Sequence, residues 1–285
     1  KEAIKINPKF AEAYNNLGNI YNGVENYHKA KKYYRKVIEL DPIFWKAYHN
    51  LGNVYRSTKE YTQAILYYKK GIKINPNYYK SYYSMGVALK ENKQYEEAET
   101  VLKQVIKFKP DFAKAHYNLG SIFRLIGDYK NSIHHQKIAI SLNPNSIVFL
   151  QNLLFCINYS PNMSAEEIFE YYKQFDQRFG LPHKDRWKAF AQPKAPKSKL
   201  KIGYVSPDFK KHSVQSFLLP TLAHHNHDKF EIYAFAELAN EDKVTQEYKS
   251  YVDHWIRIDG IKDDELVQMI RSLGIDILVD LIIWT

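Results

Sequence analysis

The chain has 285 residues, 45% hydrophobic and 25% charged, which is enough to bury one large core or two ordinary ones and excludes a disordered polymer. Its net charge of +10 is unevenly placed: residues 1–200 hold 32 Lys and Arg against 17 Asp and Glu, whereas residues 201–285 hold 9 against 14. No run of about 18 apolar residues exists, and the opening KEAIKINPKF lacks the apolar core of a signal peptide, so a cytoplasmic protein with two different surfaces and no membrane partner is expected. Cys156 is the single cysteine, so no internal disulfide can form; its apolar flanks, NLLFCINY, give it a core position. The lysines of the basic half are scattered, as in HKAKKYYRK and KQVIKFK, which reads as solvated helix faces rather than a nucleic-acid surface.

The first half repeats. Pro8, Pro42, Pro76, Pro110 and Pro144 stand 34 residues apart, and between them lie AYNNLGNIY, AYHNLGNVY, SYYSMGVAL and AHYNLGSIF. Ala30, Ala64, Ala98 and Ser132 mark the second half of each unit. This order of aromatic, Leu-Gly, aromatic, Ala and Pro resembles the tetratricopeptide repeat. In the first unit Tyr14, Leu17, Gly18 and Tyr21 share one helical face, Gly18 is small enough for a close partner helix, and Ala30 and Tyr34 supply the opposing face. Each unit is thus a helical hairpin, and hairpins must stack into an α superhelix to bury their apolar faces, with first helices lining a groove. Phe44 and Trp45 read as packing between repeats. Lys1–Pro8 resembles only the end of a second helix, so the array is expected to extend further upstream.

A second series at the same period runs through Asn16, Asn50, Asn118 and Asn152, with Ser84 interrupting it. A side-chain amide offers a donor and an acceptor to one peptide unit, so such a ladder suits holding an extended polypeptide; capping or solvating the helices is the alternative. After Pro144, Leu150, Leu153, Leu154 and Ile157 keep first-helix spacing in a capping element. Ser164 and Glu167 have capping-box spacing and open an amphipathic helix expected to end at Gly180. LPHKDRWKAFAQPKAPKSK then reads as an extended linker, giving segments 1–158, 159–200 and 201–285.

From Lys201 the short runs KIGYVS, FEIYAFAE, HWIRID and IDILVDLII alternate with helical stretches, as in a parallel α/β sheet with crossover helices. Ligands of such sheets bind at the carboxyl ends of strands, where SPDFKKHS places His212; from the residues alone His212 either serves chemistry or caps the helix expected from Ser213. Asp280, at the end of the last strand, faces a cleft or solvent. His224, His225 and His227 in HHNHD read as a solvated turn rather than a metal site.

IGYVSPDFKKHSVQSFLLP, together with the preceding repeats, NLLF.INY cap, helix and linker in that order, is similar to the O-GlcNAc transferase family and its SPINDLY-type members. The resemblance implies a protein glycosyltransferase of GT-B fold, in which a sugar passes from a nucleotide sugar, UDP-GlcNAc first, to Ser or Thr of polypeptides held along the repeat groove by the asparagine ladder. It implies no metal and no cofactor beyond that co-substrate, and puts donor-binding residues in a second Rossmann-like lobe that residues 201–285 do not include. His212 matches the family histidine on the acceptor side; Ser216 stands where some members carry a second histidine. Ile283 and Trp284 replace the Gly and His or Tyr of the family's D/E-L-x-G-H/Y-T, and with Ile283 the close backbone approach of glycine is lost. These 285 residues are expected to be inactive alone. A repeat scaffold that binds proteins without catalysis, or self-associates through its repeats, is the alternative.

Overall fold

The computed structural model describes residues 2–186 and 198–281. The chain forms two compact units, 1–187 and 188–285.

In the first unit a short helix, α1 (Glu2–Ile6), precedes four hairpins: α2 (Ala11–Gly23) with α3 (Tyr27–Leu40), α4 (Trp45–Ser57) with α5 (Tyr61–Ile74), α6 (Tyr79–Glu91) with α7 (Tyr95–Phe108), and α8 (Ala113–Leu125) with α9 (Tyr129–Leu142). One contact makes each hairpin. A Cβ on Gly18 would lie 2.5 Å from the Tyr34 ring, on Gly52 2.6 Å from Tyr68, on Gly86 2.8 Å from Leu102 and on Gly120 2.6 Å from Gln136. The glycine lets the large side chain of the partner helix lie on bare backbone, and Tyr34, Tyr68 and Leu102 are buried there almost completely. Their polar ends are answered: Tyr34 and Tyr68 donate from their hydroxyls to Asn19 and Asn53 at 2.7 Å. Ala30, Ala64, Ala98 and Ser132 are fully buried at the crossing, and the Ser132 hydroxyl donates to the Gly120 carbonyl at 2.7 Å.

The turns between the two helices also repeat at the 34-residue period. Glu25, Lys59, Lys93 and Gly127 have φ of 56°, 59°, 61° and 82°, the left-handed conformation that ends a helix tightly. Only the last is glycine, so the first three turns carried no recognisable turn residue. The second helix of each hairpin packs on the first helix of the next, while first helices also meet one another directly, α2 with α4, α4 with α6 and α6 with α8. First helices therefore form the tighter, inner layer of the array. Trp45 packs on Tyr78 of the following repeat at 4.4 Å between centroids, as expected for an inter-repeat contact.

Helix α10 (Ile147–Ile157) continues the first-helix layer, and Cys156 is fully buried beside Ser132. Helix α11 (Ala165–Phe175) opens with the expected capping box, Ser164 and Glu167 each satisfying the other's backbone. It does not end at Gly180: a π-helical turn over Asp176–Gly180 and a 3-10 helix over Leu181–Arg186 carry the coil further. Ile168, Tyr171, Phe175 and Phe179 pack on Leu150, Leu153, Leu154 and Ile157, so α11 belongs to the repeat unit. The linker reading for residues 187–197 lies outside the described residues, as do Ile283 and Trp284.

The second unit is a parallel sheet of β1 (Leu200–Ser206), β2 (Phe230–Ala236), β3 (His254–Arg257) and β4 (Ile277–Asp280) in the order β3–β2–β1–β4, linked by α12 (Gln215–Ala223), α13 (Lys243–Ser250) and α14 (Asp263–Ser272). Ile202, Tyr204, Ile232 and Ala234 pack with Leu218, Leu222 and Tyr248 of α12 and α13 on one face; Val205, Tyr233 and Phe235 pack with Leu266, Met269 and Ile270 of α14 on the other. Helices thus cover both faces of the sheet, a partial Rossmann-like lobe. Gly203 is required by closeness: a Cβ there would lie 2.9 Å from Phe235 and 3.1 Å from Leu278. Among the described residues no helix is long and apolar enough to cross a membrane.

Two expectations follow for stability. Gly52→Ala forces a methyl into the Tyr68 ring and is expected to cost about 1–3 kcal/mol in urea unfolding, whereas Gly23→Ala, where a Cβ meets nothing within 4 Å, costs nothing; equal loss in both would contradict the contact. Burial pushes the His49 and His135 imidazoles down to about 4, and lowers His116 as well, whose Nδ1 lies 3.2 Å from Nδ1 of His135. Unfolded histidine titrates near 6.5, so the unfolded chain binds protons that the folded array refuses. Helical stability should be intact above about pH 6.5, fall as pH drops to about 4 and flatten below; His135→Gln should reduce that slope in melts followed by circular dichroism.

Candidate functional site

The strand order puts a topological switch beside β1. From β1 the chain moves to β2 and β3 on one side, then returns to place β4 on the other. The carboxyl ends of β1 and β4 therefore flank a crevice, the position where open α/β sheets bind ligands. The loop from Pro207 to Val214 leaves β1 at that edge, and Asp280, exposed, ends β4 opposite Val205.

Several interactions hold the loop. Phe209 is fully buried against the rings of Tyr248 and Trp255, at 5.3 and 5.4 Å between centroids. The Thr245 hydroxyl donates to the Phe209 carbonyl at 2.8 Å. Asp242 caps α13 through the Thr245 amide at 3.0 Å and accepts the Lys211 amide at 2.8 Å, and these bonds hold its carboxyl below the usual carboxylate range. Ser206, fully buried at the strand end, accepts the Asp208 amide on its hydroxyl at 3.0 Å.

His212 is presented by this frame with its side chain 30% exposed, and its Nδ1 lies 3.5 Å from Oδ2 of Asp208. Asp208 is 5% exposed and its Oδ2 has no hydrogen-bond donor. A carboxylate oxygen can only accept, so an imidazole carrying its proton on Nδ1 would answer Asp208. The Val214 amide lies at the same 3.5 Å and donates to Nδ1, a weak bond that needs Nδ1 without a proton, so the two contacts ask for opposite tautomers. Helix α12 begins at Gln215 rather than Ser213, and His212 meets its first turn, the carbonyl accepting the Gln215 amide at 3.0 Å, so the capping alternative stands beside the chemical one. Asp208, Asp242 and Thr245 do not stand out in the sequence, although Asp208 lies four residues before His212 in SPDFKKH.

The remaining histidines diverge. His224 meets the Pro220 carbonyl at 2.7 Å, His225 the Tyr204 hydroxyl at 2.7 Å, and His227 the Asp253 carboxylate at 3.1 Å. Such scattering is that of separate surface contacts. In the repeat unit a cavity of about 610 Å³ lies beside Tyr129, Lys137 and Tyr159 and holds none of the expected site residues.

The asparagine series lies on the first helices, as spacing predicts, but most of its amides are engaged with the preceding repeat. Asn50 donates to Asn15 and Asn19 at 3.1 and 3.2 Å, and Asn152 to the Tyr117 hydroxyl at 3.1 Å. Asn118, 4% exposed, donates to the Tyr83 hydroxyl at 3.2 Å and the Lys114 carbonyl at 2.9 Å, and accepts from Lys90 Nζ at 2.7 Å. Asn118 is thus a brace between repeats, because both its amide nitrogen and its oxygen are engaged with Tyr83 and Lys90 of the preceding one. Asn16 is exposed, and Ser84 is half-buried.

A helical-repeat array and a parallel α/β lobe are the outline of a repeat-bearing glycosyltransferase. Sequence comparison matches tetratricopeptide repeats to residues 11–44, 45–78, 67–100 and 113–146, and glycosyl transferase family 41 to residues 176–285. A probable UDP-N-acetylglucosamine–peptide N-acetylglucosaminyltransferase SPINDLY of Arabidopsis thaliana is 31% identical over 144 residues, 49% of this chain and 16% of the relative. The probable transferase SEC of the same plant is 29% identical over 84 residues, 29% of this chain and 9% of the relative. The matched stretch thus spans less than a fifth of the plant proteins. Among solved structures, an O-GlcNAc transferase mutant of Thermobaculum terrenum superposes with a TM-score of 0.64 at 25% identity, covering 83% of this chain and 45% of that one. The chain is thus similar to O-GlcNAc transferases in its repeats, in its family 41 segment and in its fold.

Two measurements probe this geometry. If Asp208 sets the tautomer, nitrogen NMR of the neutral His212 imidazole should show Nδ1–H; the Nε2–H form would mean that the Val214 amide, not Asp208, engages Nδ1. Asn118→Ala should cost about 1–3 kcal/mol, since it strands the Lys90 ammonium, while Asn16→Ala should change stability by less than about 0.5 kcal/mol.

Proposed function

We propose that this protein transfers N-acetylglucosamine from UDP-N-acetylglucosamine to Ser or Thr hydroxyls of polypeptides lying along the first-helix layer. What carries the reading is the buried Asp208 carboxylate against His212 at the carboxyl edge of the switch strands. In this reading Nε2 of His212 receives the proton of the acceptor hydroxyl while its oxygen bonds to the anomeric carbon, and the carbon–oxygen bond to the diphosphate breaks as UDP leaves. Asp208 is a positioning residue: its charge favours the Nδ1–H tautomer and steadies the imidazolium that forms. Asp280 is assigned to the crevice wall and to no proton transfer. No residue of the described lobe is assigned to the donor; its identity rests on the printed names of the plant relatives. A cytoplasmic setting fits a chain whose one thiol is buried.

The test is label transfer from UDP-N-acetylglucosamine to Ser- and Thr-containing peptides by the protein that carries this chain. Transfer is expected, with His212→Ala reducing turnover about 10²–10⁴-fold and leaving the melting temperature nearly unchanged. A wild-type protein that binds peptides yet transfers no sugar would replace this reading with that of a binding scaffold.

A further inference from the structure

The asparagine series has a charged companion. Arg56, Lys90 and Arg124 occupy one repeat position, 34 residues apart, in the last turns of α4, α6 and α8. These helices touch in succession, so the repeat stacks three cations in a row. Burial first, and then the guanidinium groups of Arg124 and Arg56, hold the Lys90 ammonium below the usual lysine range, against the opposing pull of Glu91. The row is thus close enough for its members to repel one another.

Among the described residues few groups answer it, the Tyr68 hydroxyl beside Arg56 being one. Glu91 reaches Nη1 of Arg56 at 3.2 Å, Lys90 Nζ donates to the neutral amide of Asn118 at 2.7 Å, and Arg124 lies over the Phe155 ring at 5.1 Å. Nε of Arg56 and of Arg124 are buried without a hydrogen-bond partner. Three clustered cations with one carboxylate between them carry an electrostatic cost that an anionic ligand would relieve. The Arg56 side chain remains 36% exposed and Lys90 and Arg124 are half-buried, so the row is open to solvent at Arg56.

We propose that this row is the charge-reading part of the acceptor groove, and that it takes an acidic segment of extended polypeptide, Asp and Glu side chains meeting Arg56, Lys90 and Arg124. Packed helices lie about 8–10 Å apart and an extended chain advances about 3.3 Å per residue, so consecutive cations match acidic residues about three positions apart. A nucleic acid fits less well. It brings phosphates at much closer intervals, and Glu91 within the row repels a uniform polyanion while tolerating a peptide of mixed charge. The inference rests on the proposed polypeptide acceptor and adds its chemical class.

The experiment measures affinity alone, with no sugar donor present, so that its result is separable from transfer activity. Fluorescent peptides with Glu, Gln or Lys at every third position of a Ser/Gly background are titrated into the full chain. The Glu peptide should bind about tenfold or more tightly than the Gln peptide, the Lys peptide should bind least, and the preference should shrink as salt rises. The triple variant Arg56→Gln, Lys90→Gln, Arg124→Gln should lose the preference while keeping its helical circular dichroism. If that variant does not fold, the peptide series and salt dependence on the unaltered chain decide. Equal binding of Glu and Gln peptides overturns the proposal, as does tighter binding of a single-stranded oligonucleotide than of the Glu peptide. Acidic-peptide binding without sugar transfer would leave this inference standing and remove the transferase reading.

Discussion

The close approach of a large side chain to a bare glycine in each hairpin is the contact on which the architecture of the repeat unit rests. Tyr34 on Gly18 and Tyr68 on Gly52 set the separation of two helices, and Leu102 on Gly86 and Gln136 on Gly120 reproduce it with different chemistry. Because the separation repeats, the hairpins stack in register, and residues 34 apart fall into columns along the inner layer. The asparagines and the row of Arg56, Lys90 and Arg124 are two such columns, and their chemistry is where individual sequence enters.

In the second unit the corresponding constraint is the tethered β1–α12 loop. Phe209 anchors it in the core, while Asp242 and Thr245 tie it to the start of α13. The loop therefore presents His212 on a rigid path, with a buried acid behind it. The proton transfer proposed for His212 would need that kind of support, because a base that wanders loses more in alignment than it gains in access.

Much of this was legible in the sequence, for physical reasons. Proline period, helical spacing and the Leu-Gly pairs act locally, so hairpins, strands and the Ser164–Glu167 capping box could be read directly. Strand order could not, since β4 pairs with β1 through contacts some 75 residues apart, as in the Asp276 carboxylate accepting the Lys201 amide. The left-handed turns at Glu25, Lys59 and Lys93 were hidden because no glycine marks them. The asparagine column was legible as a column, but not its partners: spacing gives the helix face, while the amides of Asn50, Asn118 and Asn152 are engaged across the repeat interface. Asp208 was passed over because burial, which makes it significant, is a tertiary property.

The central claim is that a polypeptide acceptor lies along the inner layer of first helices. It is tested most directly by photo-crosslinking a Ser-containing acidic peptide, with a photoreactive residue at successive positions, to the full chain and mapping the sites by mass spectrometry. The account predicts crosslinks that advance from α4 to α6 to α8 as the photoreactive position moves along the peptide. Crosslinks confined to the second helices, α5, α7 and α9, would contradict it.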